Sequence, residues 1–63
     1  MTLSKKQFDI LVYLEGKKVA ASQREIAAGT GFSLGTVNKI LTEFSENGLI
    51  SGGAVTEVGI KAL

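Results

Sequence analysis

Four hydroxyl residues spaced along a chain of 63 constrain this protein more than any other feature. Ser4, Ser22, Ser33 and Thr56 each stand immediately before a stretch with helical spacing. A Ser or Thr in that place accepts a bond from an open amide of the new helix. A Glu or Gln three residues on can return one. Gln7 follows Ser4 at that distance and Glu25 follows Ser22, while Thr36 occupies the same place after Ser33. Apolar pairs frame every cap and can close as staples: Leu3 with Phe8, Ala21 with Ile26, Phe32 with Val37, and Val55 with Ile60. Four agreeing starts leave room only for short helices and their connections.

The spacing predicts a first helix over residues 5–15 that ends near Gly16. Phe8, Leu11 and Leu14 share one face of it, while Ile10, Val12 and Tyr13 make it apolar nearly all round. A helix of that kind has neighbours on both sides. Residues 18–21 read as a short strand, residues 23–28 as a second helix, and "GTG" at residues 29–31 as a tight turn. The third helix opens at Ser33 and runs to Glu46, with Asn47-Gly48 as its left-handed stop. Residues 49–51 and 54–56 form two strands around Gly52-Gly53, since paired glycines suit a two-residue turn with positive φ. A fourth helix starts at Glu57, and its abrupt end at Leu63 points to a piece of a longer chain. The fold class is mainly α with a small β-hairpin.

Composition removes several function classes. With no cysteine and no histidine, the chain has no disulfide, no thiolate and none of the usual imidazole ligands or bases, so no metal or cofactor is expected. Six carboxylates are scattered; Asp9 and Glu15, six apart on a helix, do not face each other. No glycine motif cradles a phosphate, and catalysis is set aside. "MTLSKKQFDILVYLEGKKVAAS" has the outline of a signal peptide, but Asp9, Glu15, Lys17 and Lys18 break its apolar core. No run is long enough to span a membrane, and a cytoplasmic protein is expected. A domain this small buries only about 60% of its unfolded surface, so packing, capping or a partner must stabilise it.

Two helices joined by a glycine-containing turn form a helix-turn-helix unit. "QREIAAGTGFSLGTVNKILT" supplies its parts: Ala27 small at the crossing, Gly31 in the turn, Val37 and Ile40 facing inward, and Ile26 and Leu41 completing the core. The segment resembles the DNA-binding unit of winged helix-turn-helix proteins. "GLIS", the hairpin and "TEVGIKAL" resemble the wing and following helix of MarR-like members. The likeness covers about residues 4–63. It implies a three-helix bundle plus wing and the start of a fourth helix, with the third helix in the major groove of double-stranded DNA. The exposed positions of that helix correspond here to Ser33, Leu34, Gly35, Thr36, Asn38, Lys39 and Thr42.

Elementary chemistry gives these residues roles. Gly35 costs roughly 1 kcal/mol of helix propensity and lets the backbone approach DNA closely. Ser33 and Thr36 can bond phosphates beside the helix amides. Asn38 carries the donor–acceptor pair that matches adenine, and Lys39 can reach guanine or a phosphate. Gln23 and Arg24 stand where the second helix crosses the DNA backbone. The plainer alternative is that Gly35 is packed against a neighbour, Ser33 and Thr36 only cap, and Asn38, Lys39 and Thr42 are an ordinary solvated face.

Three features point away from strong binding. The net charge is +1, the third helix sets Lys39 against Glu43 and Glu46, and the wing tip has no Lys or Arg. Few counterions would be released by one copy, even with Lys17 or Lys18 added. A homodimer would double the contacts and place half-sites about 34 Å apart. Ile10, Val12, Tyr13 and the fourth helix offer surface for that, for packing against a missing C-terminal domain, or for core. A different function class is an accessory module for regulation or protein docking. The chain loosely resembles the winged helix ahead of choline-phosphate-type nucleotidyltransferase domains.

Overall fold

A computed structural model describes residues 2–17 and 21–63. The elements follow in the order α1 (Lys5–Lys17), α2 (Gln23–Thr30), α3 (Leu34–Glu46), β1 (Ile50–Ser51), β2 (Ala54–Val55) and α4 (Glu57–Ala62). This is the mainly helical architecture with a small antiparallel hairpin that the spacing predicts. The strand expected at residues 18–21 falls largely on residues 18–20, outside the described ones.

All four predicted caps form. The Ser4 amide donates to Gln7 Oε1 at 2.8 Å and the Gln7 amide to Ser4 Oγ at 3.2 Å, a reciprocal capping box. Ser22 Oγ accepts from the Glu25 amide at 3.1 Å, and Ser33 Oγ from the Thr36 amide at 3.2 Å. Thr56 Oγ1 accepts from the Gly59 amide at 3.2 Å and donates to the Gly48 carbonyl at 2.6 Å. One hydroxyl thus joins the exit from α3 to the start of α4.

The core is apolar throughout: Ile10, Leu11 and Leu14 from α1, Ile26 from α2, Val37, Ile40 and Phe44 from α3, with Leu49 and Ile50 closing it. The α1 stripe differs from the predicted one. Phe8 is 45% exposed and Ile10 is fully buried. The helix settles on the Gln7–Ile10–Leu11–Leu14 stripe, which carries one face toward α2, α3 and β2 and turns Phe8 and Val12 outward. Leu41 packs against the core from its edge and is only partly buried. Of the staples, Ala21 and Phe32 pack on the cluster that buries Ile26 and Val37, whereas Ile60 of the α4 pair remains 52% exposed.

The turn between α2 and α3 lies later than predicted. The second helix continues through Gly29 and Thr30, and the chain turns at Gly31, where φ is 80° and the amide donates to Ala27 O at 2.8 Å. Thr30 Oγ1 holds that last helical turn by donating to Ile26 O at 2.7 Å. Gly29 is a contact residue: a Cβ there would overlap the Tyr13 ring, whose hydroxyl reaches Glu25 O at 3.3 Å.

The hairpin pairs Ile50 with Val55 and Ser51 with Ala54, one residue shorter on each strand than predicted. Gly52 and Gly53 have φ of 59° and 84°, the two positive values that a tight hairpin turn requires. Gly59 is buried, and a Cβ on it would overlap the Leu49 carbonyl oxygen and lie 2.7 Å from Val55 Cγ1. That close approach seats α4 on the base of the hairpin.

Candidate nucleic-acid interface

Helix α3 has two unlike sides. Val37, Ile40 and Phe44 enter the core, while Leu34, Gly35, Asn38, Lys39 and Thr42 are exposed; Thr36, expected among the exposed positions, is partly buried against the start of α1. At 3.6 residues per turn, Leu34 and Asn38 lean toward one flank of that outer face and Lys39 toward the other, with Gly35 and Thr42 between them.

The α2 flank carries a polar track. Asn38 Nδ2 donates to Gln23 Oε1 at 3.4 Å, and Thr42 Oγ1 donates to Asn38 Oδ1 at 3.5 Å. Gln23 is the first residue of α2, so the track crosses from one helix to the other. Arg24, next to it, is exposed.

The other flank faces the start of α1. Lys39, Thr36, Ile40 and Glu43 line a groove of about 330 Å³ with Ser4, Lys6 and Gln7. Lys6 holds its ammonium 5.9 Å from the centre of the Phe32 ring, beside the α2–α3 turn. Lys6 is the residue that sequence reading missed, because only the packing of α1 on α3 brings it beside Lys39. Lys5, its neighbour, pairs instead with Asp9 at 3.3 Å.

At the tip of α3, Ser33 Oγ accepts from the Thr36 amide and donates to Thr36 Oγ1 at 3.0 Å. The two hydroxyls share one bond inside the cap, which leaves one of their two protons to donate outward. A cap of this kind leaves the Leu34 and Gly35 amides without a helical acceptor. A Cβ built on Gly35 meets nothing within 4 Å, so tight packing does not account for this glycine.

The acids of α3 stand away from that tip. Glu43 is partly buried and accepts from Gln7 Nε2 at 3.1 Å, and Glu46 is the last residue of the helix. The outer face over the first two turns carries Lys39 and no acid. The wing differs: residues 49–56 contain no charged side chain. Lys18 lies outside the described residues. Lys17 sits 5.6 Å from the centre of the Tyr13 ring, at the far end of α1 from Lys6.

Among the described residues, no helix is long and apolar enough to cross a membrane. No three Asp or Glu side chains gather among them as a metal site. A family model described as winged helix-turn-helix DNA-binding matches residues 3–51, from the start of the first cap through β1. No curated protein and no solved structure matches the chain.

Proposed function

The chain belongs to the winged helix-turn-helix DNA-binding family, and on that premise we propose that it binds double-stranded DNA by laying α3 in the major groove. We place it as the DNA-binding module, spanning residues 1–63, of a MarR-like transcriptional regulator in the cytoplasm. The open space around Gly35 carries this reading. The residue lowers helix stability, leaves no room filled in the free protein, and bares the backbone where a helix tip attracts phosphate.

The remaining residues fit that docking. Leu34, Asn38 and Thr42 face the base edges, with Lys39 reaching either a guanine or the backbone. Ser33 shapes the tip, and Thr36 donates to phosphate. Gln23 and Arg24 on one flank and Lys6 on the other meet the two strands of the backbone. Such a small number of cations gives one copy weak affinity, and a homodimer across two half-sites would strengthen it.

Fluorescence anisotropy with random duplex DNA at two salt concentrations tests this, with the double change Arg24→Ala and Lys39→Ala alongside. Binding by the wild type should weaken with salt, and the double variant should lose affinity and flatten the log–log salt slope by about one, or about two if Lys39 meets the backbone. Silence of both proteins at low salt would sink the reading. It would favour the second one, a docking module beside an enzyme domain such as a nucleotidyltransferase. The exposed Phe8, Val12, Val58 and Ile60 are the observation behind that alternative.

A further inference from the structure

We infer that Gln23 determines base specificity through Asn38: it holds the Asn38 amide so that adenine is the base it matches. This rests on the DNA-binding reading and extends it from a docking face to a base preference.

A side-chain amide has two N–H donors and two oxygen lone pairs. Gln23 Oε1 takes one donor of Asn38 at 3.4 Å, and the Thr42 hydroxyl takes one lone pair at 3.5 Å. One donor and one acceptor remain. In the major groove, adenine presents an acceptor at N7 beside a donor at N6. Guanine presents two acceptors, cytosine one donor, and thymine one acceptor beside a methyl group. Adenine alone engages both remaining groups. Guanine would require the N–H that Gln23 already holds.

Each bond is long and weak by itself. Their effect comes from acting on opposite ends of one planar group, one from α2 and one from the next turn of α3. Gln23 still has its own amide hydrogens for a phosphate. While Gln23 spends them there, turning the Asn38 amide over would set its oxygen against Gln23 Oε1, acceptor against acceptor. The same residue can therefore touch the backbone and orient the base reader behind it.

The test uses the 63-residue chain and a duplex selected by it from a randomised library. The base position that depends on Asn38 is found as the one whose preference disappears in Asn38→Ala. Affinities are then compared for adenine and guanine at that position. A ratio within one variant cancels phosphate losses, which weaken both duplexes alike. The wild type should prefer adenine by about tenfold or more. In Gln23→Ala the ratio should fall to about threefold or less. Gln23→Glu retains an acceptor and should keep the ratio while weakening both duplexes by charge repulsion. Arg24→Ala should weaken both and leave the ratio unchanged. Circular dichroism confirms that each variant is folded. A ratio unaltered in Gln23→Ala, or an Asn38-dependent position that prefers another base, overturns the inference while duplex binding stands. A wild type that binds no duplex overturns the DNA reading and this inference with it.

Discussion

The outer face of α3 and the wing lie on the same chain, yet they are built on opposite rules. On α3, Gly35 has empty space where a Cβ would go, and the exposed residues around it carry amides, hydroxyls and one ammonium. In the wing, Gly52 and Gly53 serve a turn, no side chain from 49 to 56 is charged, and Gly59 is pressed against the Leu49 carbonyl from behind. The helix gives up stability to keep a surface open. The hairpin gives up surface to close a core. On the proposed reading, binding energy belongs to the helices, while the wing acts as the plug that buries Leu49 and Ile50.

That contrast is open to attack. The largest effect should come from Gly59→Ala. Its methyl would collide with backbone that cannot swing aside, costing about 2 kcal/mol and lowering Tm by ~10 °C in a domain this small. Thermal melting checks it. A variant as stable as wild type would mean that α4 is not seated on the hairpin as described. Gly35→Ala should do the reverse, gaining up to about 1 kcal/mol in the same melt, because the methyl meets nothing and the helix is favoured. Its duplex affinity should fall several-fold. Unchanged affinity would separate the first turn of α3 from DNA altogether. The smallest effect should come from Ala54→Lys, on an exposed wing position opposite Ser51. One added cation should steepen the log–log salt slope of duplex binding by about one. A slope that does not move would put the wing out of reach of the backbone.

Local signals made most of the fold legible. Ser4, Ser22, Ser33 and Thr56 bond amides within three residues of themselves, so the chain alone contains both partners of each cap. Gly29 was less accessible. In "GTG" it looks like part of a turn, but its reason for being glycine is the ring of Tyr13 on another helix. Phe8 shows the same limit from the other side, since α1 carries more apolar residues than its neighbours can cover and periodicity does not say which are left out. The candidate interface divides in the same way. Most exposed residues of α3 follow from its period, whereas Lys6 beside Lys39 and Gln23 against Asn38 arise only when separate helices pack together.

The Thr56 hydroxyl has a consequence for how this protein opens. It binds the Gly48 carbonyl and the Gly59 amide at once, and the Thr56 amide donates to Leu49 O at 2.9 Å. The hairpin, the end of α3 and α4 are thereby tied at one atom and its neighbour, and they should come apart as one cooperative unit. In hydrogen exchange, the Thr56 and Gly59 amides should share a single opening free energy, and Thr56→Val should lower both by the same amount. Unequal losses would show the strap to be two separate contacts. Equal losses would mean that the plug frays as a block, leaving the contact between α2 and α3 closed while the wing is open.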